Sequence, residues 1–408
     1  MAPCDDVIVI GGGAAGLICA GVAASRGRRV ILLERMHRPA LKLGITGKGR
    51  CNLTNNCTRD EFLAGVRTNP RFIYSALSAF SPQDAMEFFE SRGLPLKTER
   101  GGRVFPVSDR AADVVRALVG FAKSSGVRMV EERARELILD GDKVLGVRCH
   151  SGSERLAESV VIATGGLSYP ATGSDGDGYT MAEQAGHRLV PTRASLVGII
   201  TGEKWVSHAM GLSLRNITLT LSRGGKAVFG EMGELLFTHF GVSGPLALSA
   251  SAHITGQPGE YTLGIDLKPA LSTGQLDERI LRDFGERTNR DFINAMDKLL
   301  PRGLIHPMVT LSGINPAAKV HQITRGERIR LGELIKNLPL SVKGLRPVEE
   351  AVVTAGGVCV KAIHPGRMES KLVGGLFFAG EVLDLDAYTG GFNLQLAFST
   401  GYLAGQHV

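Results

Sequence analysis

The sequence predicts an α/β fold in which a parallel sheet carries a dinucleotide-binding βαβ unit and a mainly β region is inserted later in the chain. Two short apolar runs, Asp6 to Ile10 and Val30 to Leu33, flank a helix-favouring segment, Leu17 to Ala24. Such runs are typical of buried parallel strands. From about Pro191 the texture changes, and strand-like runs alternate with turn signals. These observations predict two parts with different architectures.

A glycine-rich turn, Gly11 to Gly16, lies between the first strand and the helix. Gly11 permits the tight turn, Gly13 lets the backbone approach a pyrophosphate, and Gly16 lets the helix pack close to the strand. The helix N-terminus then presents its N–H groups and positive dipole end to the phosphates. Glu34 follows Gly16 by eighteen residues, where a carboxylate can hold the ribose hydroxyls. The sequence therefore predicts a site for an adenine dinucleotide.

Residues 127–163 predict a small antiparallel meander that returns to the parallel sheet. Strand-like runs lie at 128–130, 134–139 and 144–149, and Asp140-Gly141-Asp142 is a hairpin signal. Val160 to Ala163 predicts one more buried strand, which ends in Thr164 and Gly165. This order is typical of flavin-binding two-nucleotide folds rather than nicotinamide-only domains, so we expect the dinucleotide to be FAD.

The C-terminal segment predicts a return to the first domain. Gly375 to Ala379 is a buried strand that leads to Gly380 and Glu381, and Gly390-Gly391 opens a final helix that runs to about Gly405. We expect Glu381 near the ribitol and phosphate of FAD. The N-terminus of the final helix can stabilise negative charge on a reduced flavin.

The remaining segments complete a coarse map of the chain. Pro82 and Ser108 mark the starts of two helices, the second running to about Ser124. Glycine-punctuated polar segments predict loops at 42–55 and 169–178 and a turn at 101–106. Candidate helices of the insertion lie at 275–288, 290–300 and 330–336. The predicted domains are an FAD-binding domain of residues 1–190 and 350–408, an inserted β domain of residues 191–271 and 338–349, and a helical subdomain of residues 272–337.

The composition is that of a globular protein of two or three domains, with 408 residues of which 43% are hydrophobic and 21% charged. The net charge is +7, but Lys and Arg are scattered without a run of five or more. This pattern favours a solvated basic surface over nucleic-acid binding. No apolar run reaches about eighteen residues, and no basic segment precedes the first strand, so neither a transmembrane helix nor a signal peptide is expected.

The cysteines indicate reduced thiols rather than a disulfide framework. They form no CxxC and no metal-ligand cluster, and they are spread over the whole chain. We therefore expect a cytoplasmic protein without a metal site. The six cysteines are Cys4, Cys19, Cys51, Cys57, Cys149 and Cys359.

Three unusual strings, Gly47–Asn52, Phe237–Pro245 and Thr389–Gln395, together with the glycine turn, resemble one family. It is the aminoacetone-oxidase-type flavoprotein family, also called BaiN-like NAD(P)/FAD-dependent oxidoreductases, and the resemblance covers essentially the whole chain. It implies non-covalent FAD in a glutathione-reductase-like Rossmann domain, an inserted β-barrel-like domain with a helical subdomain, and a mostly bacterial oxidoreductase. Thr46 and Lys48 depart from the family's Ser and Gly, and Lys48 adds a cation where flavin or phosphate passes.

The expected FAD contacts fall into groups along the cofactor. Arg50 and Asn52 have the alternative of a loop held by its own hydrogen bonds. For Cys51, a packed, flavin-lining thiol is favoured over a redox role. The pyrophosphate and adenosine contacts are Gly11, Gly13, Ala14, Ala15, Gly16, Glu34 and Arg35; the resemblance adds Lys42, Gly47, Arg50, Cys51 and Asn52 at the flavin, Gly380, Glu381, Gly391, Phe392, Asn393 and Leu394 at the ribitol and pyrimidine, and Thr164 and Gly165 after the later strand.

Three residues are candidates for substrate contact and catalysis. Tyr388 directly precedes the double glycine of the final helix. Arg103 can orient a carboxylate bidentately or cap a turn. His239 lies in the apolar string Phe237–Phe240, where a histidine is either structural or catalytic.

The leading hypothesis is hydride transfer through the flavin to or from a small-molecule substrate. It covers NAD(P)H-dependent reduction and oxidation of an amine or alcohol with O2. Only one dinucleotide fingerprint is present, so NAD(P)H would dock transiently on the flavin. In the alternative hypothesis the flavin is structural or sensory, and a basic helical insertion contacts a partner or nucleic acid. The arginines of that insertion are Arg279, Arg282, Arg287, Arg290, Arg325, Arg328 and Arg330.

Overall fold

The computed structural model describes residues 5–408, so Cys4 lies outside the described residues. The strands are β1 Asp5–Ile10, β2 Val30–Glu34, β3 Thr54–Asn55, β4 Leu96–Glu99, β5 Arg103–Pro106, β6 Arg128–Glu131, β7 Ala134–Asp140, β8 Lys143–Cys149, β9 Glu154–Ile162, β10 Leu189–Ser195, β11 Ile199–Thr201, β12 Ser213–Arg223, β13 Lys226–Phe237, β14 Gly241–Ser243, β15 Tyr261–Asp266, β16 Leu338–Leu345, β17 Val353–Val358 and β18 Leu376–Phe378. The helices are α1 Ala14–Ser25, α2 Leu41–Gly49, α3 Arg59–Gly65, α4 Tyr74–Ala79, α5 Pro82–Glu90, α6 Ala111–Ser124, α7 Asp177–Gln184, α8 Pro245–Ser251, α9 Thr273–Gly285, α10 Phe292–Ala295, α11 Arg302–Ser312, α12 Arg325–Lys336 and α13 Phe392–His407.

The chain folds as two compact units. Unit 1 combines the chain up to Ser195 with Val348–Val408, and unit 2 is Leu196–Pro347. No helix of the described chain is long and apolar enough to cross a membrane.

The main sheet of unit 1 has the strand order β6-β2-β1-β9-β8-β7, and β18 pairs with β9. β1 runs parallel to β2 and β9, and β18 runs parallel to β9. Val7, Ile8 and Val9 are fully buried, because strands of a covered parallel sheet have two apolar faces. The carboxyl ends of β1, β2, β9 and β18 therefore share one edge, where α/β sheets bind their ligands. The predicted α/β fold with its antiparallel meander is confirmed.

The C-terminal helix α13 packs directly on α1. A Cβ on Gly405 would lie 2.7 Å from the carbonyl oxygen of Cys19, and one on Gly401 would overlap the backbone of Ala15. Glycine at these two positions therefore permits the close approach of the helices. This packing carries the start of α13 to the same edge of the sheet as the start of α1.

Unit 2 is a closed barrel with the strand order β11-β14-β13-β12-β15-β16. Leu219, Leu221 and Phe237 are fully buried in its core. Helices α9 to α12 lie between β15 and β16 in the chain, so the predicted β-barrel-like insertion with a helical piece is confirmed. Helix α11 had no counterpart among the predicted helices, and the helix predicted at 290–300 is a short α10 followed by a 3₁₀ turn.

Three local predictions are wrong. The loop predicted at 42–55 begins with α2, whose helical dihedrals are interrupted at Thr46–Lys48, and it ends in β3. The turn predicted at 101–106 contains β5, which pairs with β3 and β4, so tertiary pairing overrides the glycine signal. Ser108 does not cap α6, because the N-cap is Arg110 and the Ser108 hydroxyl instead donates to Asp113.

Candidate cofactor site

A cleft runs along the carboxyl edge of the unit 1 sheet. Its walls come from the segments that follow β1, β2 and β9, from the N-terminal part of α13 and from the loop before α7. The lining residues include Gly11, Gly13, Ala14, Ala15, Glu34, Arg35, Lys42, Thr46, Arg133, Thr164, Gly165, Gly173, Asp177, Val353, Gly380, Glu381, Leu385, Asn393 and Leu394.

The glycine turn places the uncapped N-terminus of α1 at this cleft. No side chain caps α1 at Gly13, and a Cβ on Gly13 would meet nothing within 4 Å. The open space and the uncapped N–H groups fit a phosphate. Gly11 has φ 100°, and a Cβ there would lie 2.6 Å from the carbonyl oxygen of Ala163. A Cβ on Gly16 would overlap Gly11. Gly16 therefore supports the turn from outside the cleft.

Glu34 braces the glycine turn as well as lining the cleft. Its carboxylate oxygens accept hydrogen bonds from the N–H groups of Gly12 and Met36, each at 2.8 Å. Burial raises the pKa of Glu34, although both hydrogen bonds act in the opposite direction. The side chain thus fixes the turn while one face of it borders the cleft.

Lys42 and Glu381 form a polar group on the cleft wall. The Lys42 Nζ donates to Glu381 Oε2 at 2.6 Å and to the Ser168 hydroxyl at 2.6 Å. Glu381 Oε1 accepts from Ser168 at 3.0 Å and from the Thr354 N–H at 2.9 Å. This pairing orients both charged side chains before a ligand binds. Nearby on the wall, the buried Thr164 Oγ1 has no hydrogen-bond partner among residues 5–408.

A second uncapped helix N-terminus, that of α13, meets the cleft. Its N-cap, Gly391, has φ 99° and no side-chain cap. The Asn393 amide bonds the N–H of Ala387 at 2.9 Å and its carbonyl oxygen at 2.8 Å. Two helix dipoles thus converge on one cleft, an arrangement that fits a flavin dinucleotide, whose phosphates are anionic and whose ring gains negative charge on reduction.

Several expected FAD contacts lie outside the cleft lining. Arg50 pairs with Glu99 and with Asp109, and its guanidinium lies 4.1 Å from the ring centre of Phe105. These contacts join Arg50 to distant segments rather than to its own loop, and its role at the flavin stays a prediction. The others outside the lining are Gly16, Gly47, Cys51, Asn52, Gly391 and Phe392.

Cys51 and Phe392 are packed inside unit 1. Cys51 is fully buried, and burial raises the pKa of its thiol to about 12. It therefore remains a protonated thiol near neutral pH. The ring of Phe392 packs 5.0 Å from that of Phe62, centre to centre. These positions support the site by packing.

The three candidates for substrate contact have different environments. The Tyr388 hydroxyl accepts a hydrogen bond from Arg67 Nη1 at 3.3 Å. Arg103 is partly exposed and donates to the Arg100 carbonyl oxygen at 3.1 Å. His239 belongs to unit 2, where its ring packs edge-on against Phe240. Their roles stay predictions.

The structure adds residues that the sequence reasoning missed. Residues 132–134, 172–174 and Asp177 line the end of the cleft beside Glu34. Arg35 and Arg133 both form ion pairs there with Asp175 and Asp177. The only sequence signal was the density of Gly and Asp between 173 and 178, which predicts a loop but no partner for it.

Comparisons with known proteins agree with this geometry. The family model described as "HI0933-like protein Rossmann domain" matches residues 5–407. The chain is 31% identical over 401 residues to a ribosomal RNA dihydrouridine synthase of Escherichia coli, covering 98% of this chain and 97% of the relative. It is also 31% identical over 408 residues to a 3-dehydro-bile acid delta(4,6)-reductase of Clostridium scindens, covering 98% and 97%.

Among solved structures, the chain is similar to the 3-ketosteroid delta1-dehydrogenase of Sterolibacterium denitrificans. The TM-score is 0.55 at 14% identity, with 99% of each chain covered, so this likeness concerns the fold. The family match and the two full-length relatives confirm the resemblance seen in the sequence. The chain belongs to the HI0933-like Rossmann family and is an FAD-dependent oxidoreductase.

Proposed function

We propose that this protein reduces a carbon–carbon double bond conjugated with a carbonyl group, using FAD and electrons from NAD(P)H. The proposal rests on the cleft with two uncapped helix N-termini and on the activities named for two full-length relatives. Dihydrouridine is uridine whose ring C=C has been reduced. A delta(4,6)-reductase acting on a 3-dehydro bile acid likewise reduces C=C bonds conjugated with a ketone. The two named activities therefore share one type of chemistry.

The residues on the cleft wall are suited to hold FAD along its length. The N-terminus of α1, with Gly13, would bind the pyrophosphate. Glu34 would hold the adenosine ribose, and the Lys42–Glu381 pair would bind the ribitol. The N-terminus of α13 would stabilise negative charge on the reduced flavin, beside Asn393 and Leu394. When bound and reduced by NAD(P)H, the cofactor would supply a hydride to one carbon of the double bond.

The other carbon of the double bond needs a proton, and we assign Tyr388 as the donor of that proton. Its hydroxyl oxygen accepts a hydrogen bond from Arg67 at 3.3 Å, and a positioned phenol can act as a general acid. A proton then passes from the phenol oxygen to the substrate carbon, two C–H bonds replace the π bond, and solvent returns a proton to the tyrosine. The adjacent Arg67 charge favours the transient phenolate.

Uridine in RNA is the first substrate to test. The segment from residue 42 to residue 110 holds eleven Lys and Arg against seven Asp and Glu, and positive charge favours a phosphate backbone. Three arginines of the helical insertion, Arg279, Arg287 and Arg328, pair with carboxylates. This pairing weakens the alternative hypothesis that the basic insertion contacts a partner or nucleic acid. An unsaturated 3-oxo steroid acid is the second candidate, because the relative that acts on one is equally similar.

The decisive experiment has two anaerobic stages. The FAD-loaded protein is mixed with NADPH or NADH, and bleaching of the flavin absorbance is followed. The reduced protein is then mixed with unmodified ribosomal RNA or with the steroid, and reoxidation is followed together with the mass gain of two hydrogens in the product. Reoxidation by either substrate supports the proposal. A flavin that neither nicotinamide reduces, but that an amine or alcohol bleaches, would replace it with the oxidase hypothesis.

A further inference from the structure

One end of the cleft, beside Glu34, is covered by residues 170–176, which we call the strap. The strap contains one 3₁₀ turn, Pro170–Thr172. It is bounded by residues with left-handed backbones, Tyr169 at φ 52° and Gly176 at φ 96°. Thr172, Gly173 and Ser174 line the cleft, so the strap forms part of its wall.

Backbone hydrogen bonds do not tie the strap to other elements of the described chain. Just before it, the Tyr169 N–H donates to the Glu349 carbonyl oxygen at 3.1 Å. The backbone bonds of residues 170–176 stay within residues 169–176 or lead into α7. The strap therefore depends on side chains for its closed position.

Two arginines from neighbouring strands supply those side-chain contacts. Arg35, which follows β2, pairs with Asp175. Arg133, which precedes β7, lies 3.0 Å from Asp175 and 2.6 Å from Asp177. The side chains of Arg35 and Asp175 are each 27% exposed, so water and salt screen them only in part.

The ion pairs of Arg35 and Arg133 with Asp175 and Asp177, which we call the clasp, are favoured by the ionised state of Asp175. Burial acts to raise the pKa of Asp175, but the hydrogen bond and charge of Arg35, the charge of Arg133 and the Asp177 N–H together hold the pKa below the usual value. Arg35, Arg133 and Asp177 also line the cleft, and Glu34, on the same stretch of wall, is the expected ribose ligand. The clasp therefore closes over the part of the cleft suited to adenosine.

We propose that the strap retains the adenosine half of FAD, and that Asp175 with Arg35 and Arg133 sets the rate at which FAD leaves. This inference depends on FAD binding and not on the identity of the reduced substrate. Because the strap touches only one end of the cleft, it also gives FAD its advantage over FMN, which lacks the adenosine half. Asp175 is thus a positioning residue and a determinant of cofactor choice.

The test compares the Asp175→Asn variant with the wild-type protein. After dilution of the loaded protein, free flavin is separated by ultrafiltration and measured over time. At low salt we expect the variant to release FAD about fivefold faster, an effect typical of partly exposed ion pairs. The two rates should converge at high salt, which screens the clasp of the wild type. Affinity for FMN should be the same in both proteins.

A matched control is Glu158→Gln, which removes the 2.7 Å ion pair with Arg28 beside the amino end of β1. It should leave FAD release unchanged. If Asp175→Asn does not fold, Arg133→Gln and Arg133→Lys take its place, and the lysine variant should restore part of the retention. Release of FAD at the same rate from the wild type and the variant at low salt would overturn the role of the strap. A loss of FMN affinity in the variant equal to its loss of FAD affinity would do the same. Either result leaves the reductase proposal untouched.

Discussion

The two helix N-termini that meet the cleft are alike in chemistry and different in origin. Both α1 and α13 begin after a glycine without a side-chain cap. Gly13 has an extended backbone and open space around its missing Cβ, whereas Gly391 has φ 99° and a Cβ there would overlap the Thr54 backbone. The protein leaves room for a side chain at Gly13, whereas its own backbone forbids one at Gly391. The first terminus is built by local sequence, and the second is built by contacts between distant segments.

The largest expected effect is that of Gly391→Ala. The substitution forces a left-handed backbone on alanine and pushes it against Thr54, so we expect a loss of about 3 kcal/mol in the free energy of unfolding. Urea denaturation of the protein without added flavin measures this loss. Gly390→Ala is the control, since it carries the same strain at φ 114° but its Cβ would lie 3.5 Å from the nearest atom. An equal loss in the free energy of unfolding for Gly391→Ala and Gly390→Ala would mean that contact with Thr54 contributes nothing.

Tyr388→Phe tests the chemistry proposed beside α13. Loss of the phenol should slow substrate reduction about 100-fold, the usual contribution of a positioned acid. The rate of flavin reduction by NAD(P)H should stay unchanged, because that step uses no proton from Tyr388. Stopped-flow measurement of the two half-reactions separates the effects. If both slow equally, Tyr388 acts on the flavin environment and not as the acid.

Gly13→Ala tests the α1 terminus. The protein has room for the added methyl group, so the free energy of unfolding should change by less than about 1 kcal/mol. The methyl group would, however, occupy the space that the pyrophosphate approaches, and FAD affinity should fall about tenfold. Titration of the flavin-free protein measures this. Gly44→Ala is the matched control, because it also meets open space but does not line the cleft. Unchanged FAD affinity would mean that the pyrophosphate does not bind at Gly13.

The smallest effect is expected at Cys51. Its thiol has a pKa of about 12 through burial, above the value of a free cysteine, so at pH 8 almost none of it is thiolate. The folded protein should leave Cys51 unmodified by a thiol reagent at this pH, as peptide mass mapping would reveal. Rapid labelling of Cys51 in the native state, with no labelling of the equally buried Cys19, would restore the redox hypothesis.

Sequence reasoning predicted those features whose signals are short-range. The βαβ unit, the meander and the strand before Gly380 follow from periodicity and turn residues. It failed where a partner far along the chain decides the outcome. β5 forms in a glycine-rich stretch because β3 and β4 pair with it. The sequence likewise did not predict the ion pairs of Arg50 with Glu99 and Asp109, and the role of Arg50 at the flavin stays a prediction.

The sequence by itself determined the fold class, the glycine turn at α1, the acidic residue at the end of β2 and the family to which the chain belongs. These features depend on spacing over a few tens of residues, where backbone geometry fixes the result. Only the tertiary structure decided that α13 begins against Thr54, that Lys42 meets Glu381, and that two arginines hold the strap. Each of those contacts joins residues that are far apart in the chain. Packing and charge pairing bring them together, and local pattern alone carries no record of either.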